Sequence, residues 1–444
     1  MSYIQFVNHA SVLVSNGNHG ILSDPWYEGS VFNNGWDLIV KNNSSDIIEV
    51  LDKVSHIWVS HEHPDHFSPS FFLKYKDEII NNGIKIIFQK TKDRRVYNFL
   101  TSKNFSVFEL DNNEYYEIDS NFKVRIQKVD FYDSALIIDI DDKRIANLND
   151  CPFETERDLK KFSNLYGPVD ILLSQFGYAA WKGGKDNKLW RQEAAFEKLK
   201  ILEKQLSHLK CKKLIPFASF IYFSNKENSY LNLDNNSPRV VERFFKNKVE
   251  TVFFKPLEKQ SLEKLTQNLD SMSFWDDKFS NIPEFDYTEY SESYSIEELS
   301  NAHNLYLKKL SNKNSFFLIK LLHHIKLLNI FSDIKIYLTD LDQTINLSVV
   351  SGITKSINKK NHDTSMHSES LMFILKNEFG FDTLTVNGNF EADKNGFSKL
   401  TKHLAIGSLN AMGLNLNIGL ILNFSIYSLL IKKLLRVGKK LENY

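Results

Sequence analysis

The chain has 444 residues, 42% of them apolar and 25% charged, which is typical of a soluble globular protein with more than one domain. Its 55 basic residues balance its 55 acidic ones, so no overall positive field would attract nucleic acid, and we expect no nucleic-acid partner. With only two cysteines, Cys151 and Cys211, the chain has no disulfide framework and fits a reducing compartment.

The N-terminal stretch predicts a strand, a turn and a second strand. Residues 3–7 and 11–15 alternate in the strand period, and they lack the basic segment and apolar core of a signal peptide, so we expect a cytoplasmic location. His9 lies between the two strands. A third apolar run leads to Asp24 at the edge of the predicted sheet, where the carboxylate either caps the next turn or contacts a metal site.

The most informative stretch is His61-Glu62-His63-Pro64-Asp65-His66, which follows the apolar run Ile57-Trp58-Val59. Alternate side chains of an extended segment point the same way, so His61 and His63 can converge on one point. Pro64 breaks the extended run, so Asp65 and His66 can turn toward a second point nearby. Imidazole and carboxylate are the usual ligands of zinc and iron. The pattern therefore predicts a metal site.

Further strands and helices alternate up to about residue 260, which favours a layered α/β sandwich. A two-metal site needs additional ligands and commonly a bridging carboxylate from other strand ends. Asp133 precedes one predicted strand, and Asp150 follows the next one. Each is either a metal ligand or an ordinary turn or cap residue. The predicted strands are 84–88, 105–110, 122–129, 134–140, 144–148, 169–173 and 214–222, and the predicted helices lie near 93–101 and 189–209.

The composition changes after residue 265. Residues 266–301 are rich in acidic and aromatic residues and predict a linker, and residues 302–405 predict a smaller α+β module with a strand at 383–387. The tail, 406–444, is first apolar and then basic. Three roles stay open for it: a membrane-spanning helix, an interfacial helix, or a helix that packs on the core or on a partner.

Several segments together resemble a known family. The pattern at 61–66 resembles the metallo-β-lactamase superfamily, which implies an αββα sandwich with a metal site at its edge. The closer similarity covers roughly residues 3–260 of a domain predicted at 1–265, and it is to the metallo-β-lactamase-like domain of the CMP-N-acetylneuraminate hydroxylases. The stretches that carry it are Tyr3 to Ala10, Ser23-Asp24-Pro25-Trp26, Asn147 to Cys151, and Pro216 to Phe220. The module at 302–405 is similar to sterol-carrier-like domains in the stretches 370–373 and 383–388.

The resemblance implies a ligand set and a choice of metal. It assigns one or two divalent ions, zinc or iron with manganese as a further option, to His61, His63, Asp65, His66, Asp133 and Asp150. A carboxylate at Asp133, where hydrolases of the superfamily place a histidine, favours iron or manganese. Asn225 departs from the histidine expected near it, which leaves the second ion's coordination open. The hydroxylases also carry a Rieske cluster, for which this chain lacks the cysteines.

Three functions are compatible with these features. The first is a metal-dependent hydrolase, in which a metal-bound hydroxide acts on a small, phosphorylated or sugar-containing substrate, with Asp65 and His9 as catalytic residues. The second is an iron-dependent oxygenase for a sugar or nucleotide-sugar, with a separate electron-transfer protein as its partner. The third is a non-catalytic protein that binds lipid or a partner. For the first two, Tyr178, Trp181 and Lys182 are the predicted substrate-binding residues, unless they belong to an ordinary surface loop.

Overall fold

The computed structural model describes residues 1–129, 132–325, 330–356, 361–411, 413–417 and 419. Its strands, in chain order, are β1 Tyr3–Asn8, β2 Ser11–Ser15, β3 Gly20–Ser23, β4 Trp36–Leu38, β5 His56–Val59, β6 Lys85–Gln89, β7 Ser106–Leu110, β8 Tyr115–Asp119, β9 Phe122–Lys128, β10 Ser134–Ile140, β11 Lys143–Asn149, β12 Ile171–Gln175, β13 Lys213–Phe217, β14 Ile221–Phe223, β15 Glu250–Thr251, β16 Lys259–Ser261, β17 Ile334–Leu338, β18 Gln343–Ser348, β19 Gly352–Lys355, β20 Thr364–Met366 and β21 Glu391–Ala392.

The helices are α1 Ser44–Leu51, α2 Pro69–Lys74, α3 Lys76–Asn81, α4 Arg95–Ser102, α5 Glu156–Tyr166, α6 Lys188–Leu209, α7 Pro238–Phe245, α8 Leu269–Ser280, α9 Ile296–Lys313, α10 Phe316–His324, α11 Ser368–Lys376, α12 Gly380–Asn387 and α13 Lys394–Ala411. Two short 3-10 helices span Ser229–Asp234 and Ile282–Glu284. No helix within the described ranges has both the length and the apolar character that crossing a bilayer requires.

Two seven-stranded sheets form the N-terminal unit. Their strand orders are β16-β1-β2-β3-β5-β6-β7 and β15-β13-β12-β11-β10-β9-β8. Strands β3, β5, β6 and β7 run parallel, and so do β11, β12, β13 and β15. Strands covered on both faces are almost continuously apolar, which explains why β5 and β12 are buried throughout and β13 is buried after its first residue.

The strand period separates two layers of core. On β5, Trp58 belongs to the cluster shared by the two sheets, whereas Ile57 and Val59 pack with helix residues such as Phe72 of α2 and Leu100 of α4. Helices α5 and α6 cover the second sheet, with Leu159 among the buried residues. The order of layers is helix, sheet, sheet, helix, so the metallo-β-lactamase-like αββα sandwich predicted from the sequence is confirmed.

The C-terminal unit has its own sheet and core. A five-stranded sheet in the order β19-β18-β17-β20-β21 packs with α9, α11, α12 and α13. The sequence predicts a strand at 383–387, and this prediction is wrong, because these residues form the end of α12. Thr383, Thr385 and Val386 favour strands by intrinsic propensity, but Gly388, with φ 71°, ends a helix here in the left-handed conformation.

Two other predicted segments differ in detail. Within 266–301, expected to be an acidic linker, helix α8 places Trp275 fully buried in the core of the N-terminal unit. The single strand expected at 214–222 is two strands, β13 and β14, which Ala218 separates with φ 45°. Strand β14 pairs with β4 in a separate two-stranded sheet. Most of the predicted tail lies outside the described residues.

Candidate metal centre

The metal-ligand loop begins where β5 ends, and the neighbouring strand end fixes it there. Asp24 follows β3, is 1% exposed and has φ 36°. One of its carboxylate oxygens, Oδ1, accepts a hydrogen bond of 2.7 Å from the Ser60 amide, and Oδ2 lies 2.9 Å from His66 Nδ1. Of the two roles left open for Asp24, the structure shows the contact with the metal loop.

Residues of both sheets also hold the backbone between β5 and the loop. The Ser60 carbonyl accepts hydrogen bonds from Gln89 Nε2 at 3.2 Å and from Ser134 Oγ at 2.6 Å. The Ser60 hydroxyl lies 2.9 Å from His61 Nδ1 and 3.2 Å from His66 Nδ1. A polar contact at Nδ1 leaves Nε2 of these two histidines for a metal.

Five of the six sequence-predicted ligands lie in two groups that could hold an ion, together with His9, and the sixth, Asp133, lies beside the first group. One group of side chains that could hold an ion consists of His61, His63 and Asp150. A second such group consists of His9, Asp65 and His66. Within each group the ligand atoms lie within 4.8 Å of one another.

Distances within the second group are short. Asp65 Oδ2 lies 3.2 Å from His66 Nε2 and 3.4 Å from His9 Nε2. These three residues are at most 4% exposed. The sequence suggested His9 only as a catalytic or orienting residue, because nothing in its local pattern shows that it meets Asp65.

The second sheet supplies the remaining carboxylates. Asp150, at the end of β11, has Oδ2 3.8 Å from His61 Nε2 and 3.6 Å from His66 Nε2, so it lies between the two groups. Asp133, just before β10, has Oδ1 3.9 Å from His61 Nε2. The antiparallel pairing of β10 with β11 puts the start of one strand beside the end of the other.

Backbone strain is concentrated at this edge of the sandwich. His9, Asp24 and Ala218 each follow a strand and Asn149 ends one, and all four have φ between 34° and 45°, the left-handed region that residues with a Cβ rarely occupy. The Ala218 amide donates to the His9 carbonyl at 3.0 Å, which joins the end of β13 to the end of β1. Strained residues persist where the surrounding structure holds them, commonly at functional sites.

The donor atoms fit a divalent ion. Among the described residues, five buried atoms at this site have no hydrogen-bond partner, although such atoms are normally satisfied. They are His9 Nδ1 and Nε2, Asp65 Oδ1, His66 Nε2 and Asp150 Oδ1. Four imidazoles and three carboxylates are suitable ligands for zinc, iron or manganese. One or two divalent ions are therefore the cofactors that this set of residues can hold.

The electrostatics of the centre point the same way. Burial raises the pKa of Asp133, and the nearby Asp150 carboxylate adds to this effect. Burial lowers the pKa of His61 well below its usual range. For Asp65, burial acts upward but the neighbouring His66 outweighs it, so the pKa lies well below its usual value. The centre thus places carboxylates close to one another and close to His61, which burial keeps neutral. A bound cation would offset the repulsion between the carboxylates.

The three predicted substrate-binding residues lie in the loop between β12 and α6, which contacts both units. Tyr178 is 1% exposed, and its hydroxyl donates to the Leu231 carbonyl. Trp181 belongs to the C-terminal core, where its ring stacks on Phe390 at 4.6 Å between centroids. Other residues of the protein therefore cover the aromatic side chains of Tyr178 and Trp181, which were predicted to bind a ligand. Lys182 is partly exposed beside them.

Other residues of the site carry little or no signal in the sequence. Trp26, within the Asp-Pro-Trp segment, packs edge-on against His9 with ring centroids 5.5 Å apart. Phe32 approaches His63 with ring centroids 6.0 Å apart, although no sequence pattern around it indicates a site. Asn225, where a histidine was expected, is 1% exposed, and its Oδ1 accepts from the Glu227 amide at 2.9 Å. It is absent from both ligand groups of the described chain.

Comparison with known proteins agrees with the resemblance seen in the sequence. No family model matches the chain. Over 274 residues it is 23% identical to the inactive cytidine monophosphate-N-acetylneuraminic acid hydroxylase of Homo sapiens, covering 57% of this chain and 52% of that protein. It is 24% identical over 269 residues to the hydroxylase of Sus scrofa, covering 56% of this chain and 59% of the relative. The chain therefore spans about half the length of the curated relatives it matches.

Solved structures with similarity to this one include two metalloproteins. One is CmlA, a diiron beta-hydroxylase from Streptomyces venezuelae, with a TM-score of 0.44, 13% identity, and coverage of 59% of this chain and 54% of that chain. Another is Igni18, a metallo hydrolase from Ignicoccus hospitalis, with a TM-score of 0.40, 14% identity, and coverage of 58% of this chain and 97% of that chain.

Proposed function

We propose that this chain is a metalloenzyme with a binuclear centre that hydrolyses a small molecule. The observation that carries the proposal is the pair of ligand groups at one edge of the sandwich, with Asp150 within 4 Å of a histidine from each. In this assignment His61, His63 and Asp150, with Asp133 beside them, would hold the first ion. His9, Asp65 and His66 would hold the second, and Asp150 is close enough to serve both groups.

Divalent ions in such a pair lower the pKa of a bound water and polarise the bond to be cleaved. The protein residues determine where this chemistry takes place. Asp24 holds His66 through Nδ1, so that Nε2 points to the second ion. His63 is the exposed member of its group, whereas His9 and His66 are buried. We therefore place the substrate on the His63 side of the centre.

Hydrolysis is the first choice because it needs only the two ions and water. Cys151 and Cys211, the two cysteines of the sequence, are both free thiols, and neither belongs to a ligand group of the described residues. Asp65 acts as ligand and catalytic carboxylate, and His9 acts as a ligand rather than as a remote orienting group. A small phosphorylated or sugar-containing substrate is the class that we propose, with Lys182 as a candidate contact.

Iron-dependent hydroxylation is the second candidate. Two observations favour it: the curated relatives are named as hydroxylases of a sugar nucleotide, and Asp133 is a carboxylate rather than an imidazole. This reaction would require a separate electron-transfer protein as partner. The residues that hold the metals are the same in both candidates.

Metal analysis followed by turnover measurements distinguishes the two candidates. Full-length protein is purified from cells grown with iron and zinc, and its metal content is measured before and after reconstitution with each metal. Hydrolysis predicts turnover of a phosphodiester, lactone or nucleotide-sugar in the zinc form, without oxygen, and loss of that turnover in Asp150→Asn. Oxygen uptake that depends on iron, substrate and an added reductase would favour hydroxylation. Protein that binds neither metal in any form would refute both candidates.

A further inference from the structure

A turn beside the metal centre has an uncommon backbone. Phe32, Asn33 and Asn34 are three successive residues with a Cβ, and their φ angles are 53°, 55° and 56°. The left-handed region is disfavoured for such residues, and they usually visit it singly. A run of three therefore requires external contacts that hold it in place.

The C-terminal unit supplies one of the contacts that hold this turn, in addition to the hydrogen bonds that the Asn34 carbonyl accepts from the hydroxyls of Ser224 and Thr288. Asn387, the last residue of α12, is 1% exposed, and its side-chain Nδ2 donates to the Phe32 carbonyl at 3.0 Å. Asn228 joins both sides, because its Nδ2 donates to the Gly35 carbonyl at 2.9 Å and to the Asn387 carbonyl at 2.7 Å. One of the contacts that hold the left-handed turn thus comes from a residue 355 positions along the chain.

The fit between the turn and the C-terminal unit is close. A Cβ on Gly35 would lie 2.2 Å from the Asn387 Cβ, which is shorter than any tolerated carbon contact. Only glycine at position 35 therefore allows the two units to approach this closely. Both asparagines at this contact, Asn387 and Asn228, are almost fully buried.

This turn also places the aromatic ring of Phe32 against the metal centre. The ring of Phe32 is 7% exposed and lies between Trp36, at 4.7 Å between centroids, and His63, at 6.0 Å and 72° between ring planes. His63 is the exposed member of its ligand group, and its Nδ1 lies 2.8 Å from His61 Nε2. Phe32 therefore supports the ligand that has the least protein around it.

We propose that Asn387 is a positioning residue of the metal centre: by holding the Phe32–Asn34 turn, the C-terminal unit sets the ring orientation of His63. This inference rests on the proposed function, because it assumes that His63 binds an ion. It assigns the C-terminal unit a role at the site although none of its residues belongs to either ligand group of the described chain. Residues that orient a metal ligand typically change metal affinity ten- to a hundred-fold when replaced; one step further away, we expect about three- to ten-fold.

The test compares two isosteric substitutions in one turn of the full-length protein. In Asn387→Asp the side chain loses its donor and presents a carboxylate to the Phe32 carbonyl. Asn389→Asp is the matched control, since Asn389 is equally buried and its Nδ2 donates to the Tyr290 hydroxyl, away from the turn. The Kd for zinc is measured by competition with a chromophoric chelator, and the visible spectrum of the cobalt form reports the ligand geometry.

We expect Asn387→Asp to weaken binding of one ion about three- to ten-fold and to alter the cobalt spectrum, while Asn389→Asp leaves both unchanged. Gly35→Ala disturbs the same contact between the turn and Asn387, because the added methyl group pushes the two apart, and it should reproduce the effect. This second variant keeps the test valid if Asn387→Asp does not fold. Wild-type metal affinity and spectrum in Asn387→Asp or Gly35→Ala would overturn the inference alone. A wild-type protein that binds no metal would overturn the proposed function together with it.

Discussion

Replacing Asp24 by asparagine tests whether the carboxylate at the end of β3 sets the metal-binding state of His66. The carboxylate makes two contacts in a buried position, with the Ser60 amide at 2.7 Å and with His66 Nδ1 at 2.9 Å. An asparagine keeps one acceptor, which the Ser60 amide occupies, and turns its NH₂ group toward Nδ1. His66 must then place its proton on Nε2, the atom that we assign to the second ion.

The magnitude follows from the kind of contact that is lost. A hydrogen bond to a charged group contributes about 1.5–3 kcal/mol, and replacing such a partner of a metal-bound histidine typically costs about ten- to a hundred-fold in metal affinity. We therefore expect the zinc content of Asp24→Asn to fall from about two ions toward one at a free zinc concentration that saturates the wild type.

The assay is dialysis against a zinc buffer followed by elemental analysis. Asp170→Asn is the matched control, because Asp170 also accepts from a backbone amide, that of Arg144 at 2.9 Å, and from a cation, Lys212 Nζ at 2.6 Å, far from the metal centre. Two ions bound with wild-type affinity in Asp24→Asn would show that His66 does not depend on this carboxylate and would refute the reasoning.

Three further predictions concern the bridge, the N-terminal core and the C-terminal core. Asp150→Asn should weaken both ions, because Asp150 lies beside both groups; retention of one ion at wild-type affinity, measured by the same dialysis, would contradict a bridging role. Trp275→Ala should lower the free energy of unfolding of the N-terminal unit by about 3–5 kcal/mol, because the ring is fully buried there; an unchanged urea midpoint would instead fit a linker. Burial lowers the pKa of His303 to about 4, so the unfolded state takes up this proton first as the pH falls below about 6.5, and stability should decrease by about 2.5 kcal/mol between pH 7 and pH 4.5. His303→Gln should remove that part of the pH dependence in urea titrations, and an identical dependence in both proteins would count against it.

Much of the αββα sandwich could be predicted from the sequence, because its strands arise from local patterns of apolar and polar residues. Alternation and continuous apolar runs predict the strands, and parallel strands bring their ends to one edge, which is why the loop at His61, the carboxylate of Asp24 and that of Asp150 meet. The cap of α2 also has a local cause, because Ser68 Oγ accepts a hydrogen bond from the Phe71 amide and Pro69 begins the helix.

The features that escaped prediction depend on contacts between distant segments. His9 meets Asp65 only because β1 and β5 end at the same edge of one sheet. Trp181 lies in a loop whose composition is typical of ligand binding, yet its side chain is buried in the core of the C-terminal unit. In α12, helix-ending contacts outweigh the strand propensity of Thr383 and its neighbours. No local pattern encodes the positions of His9 and Trp181, since each is decided by what packs against the segment, whereas Gly388 is a local signal for the end of α12.

The origin of the ligands in both sheets has a thermodynamic consequence for the whole protein. His9, His61 and Asp65 extend from the first sheet, and Asp133 and Asp150 from the second, so an unfolded chain offers only the short run at 61–66. Ions that bind the folded form preferentially shift the unfolding equilibrium, by about 2.7 kcal/mol for each site at a free concentration of 100 Kd. In our assignment, metal supply would therefore set not only catalytic competence but also the stability of the N-terminal unit, and a chelator would lower its free energy of unfolding by the same amount.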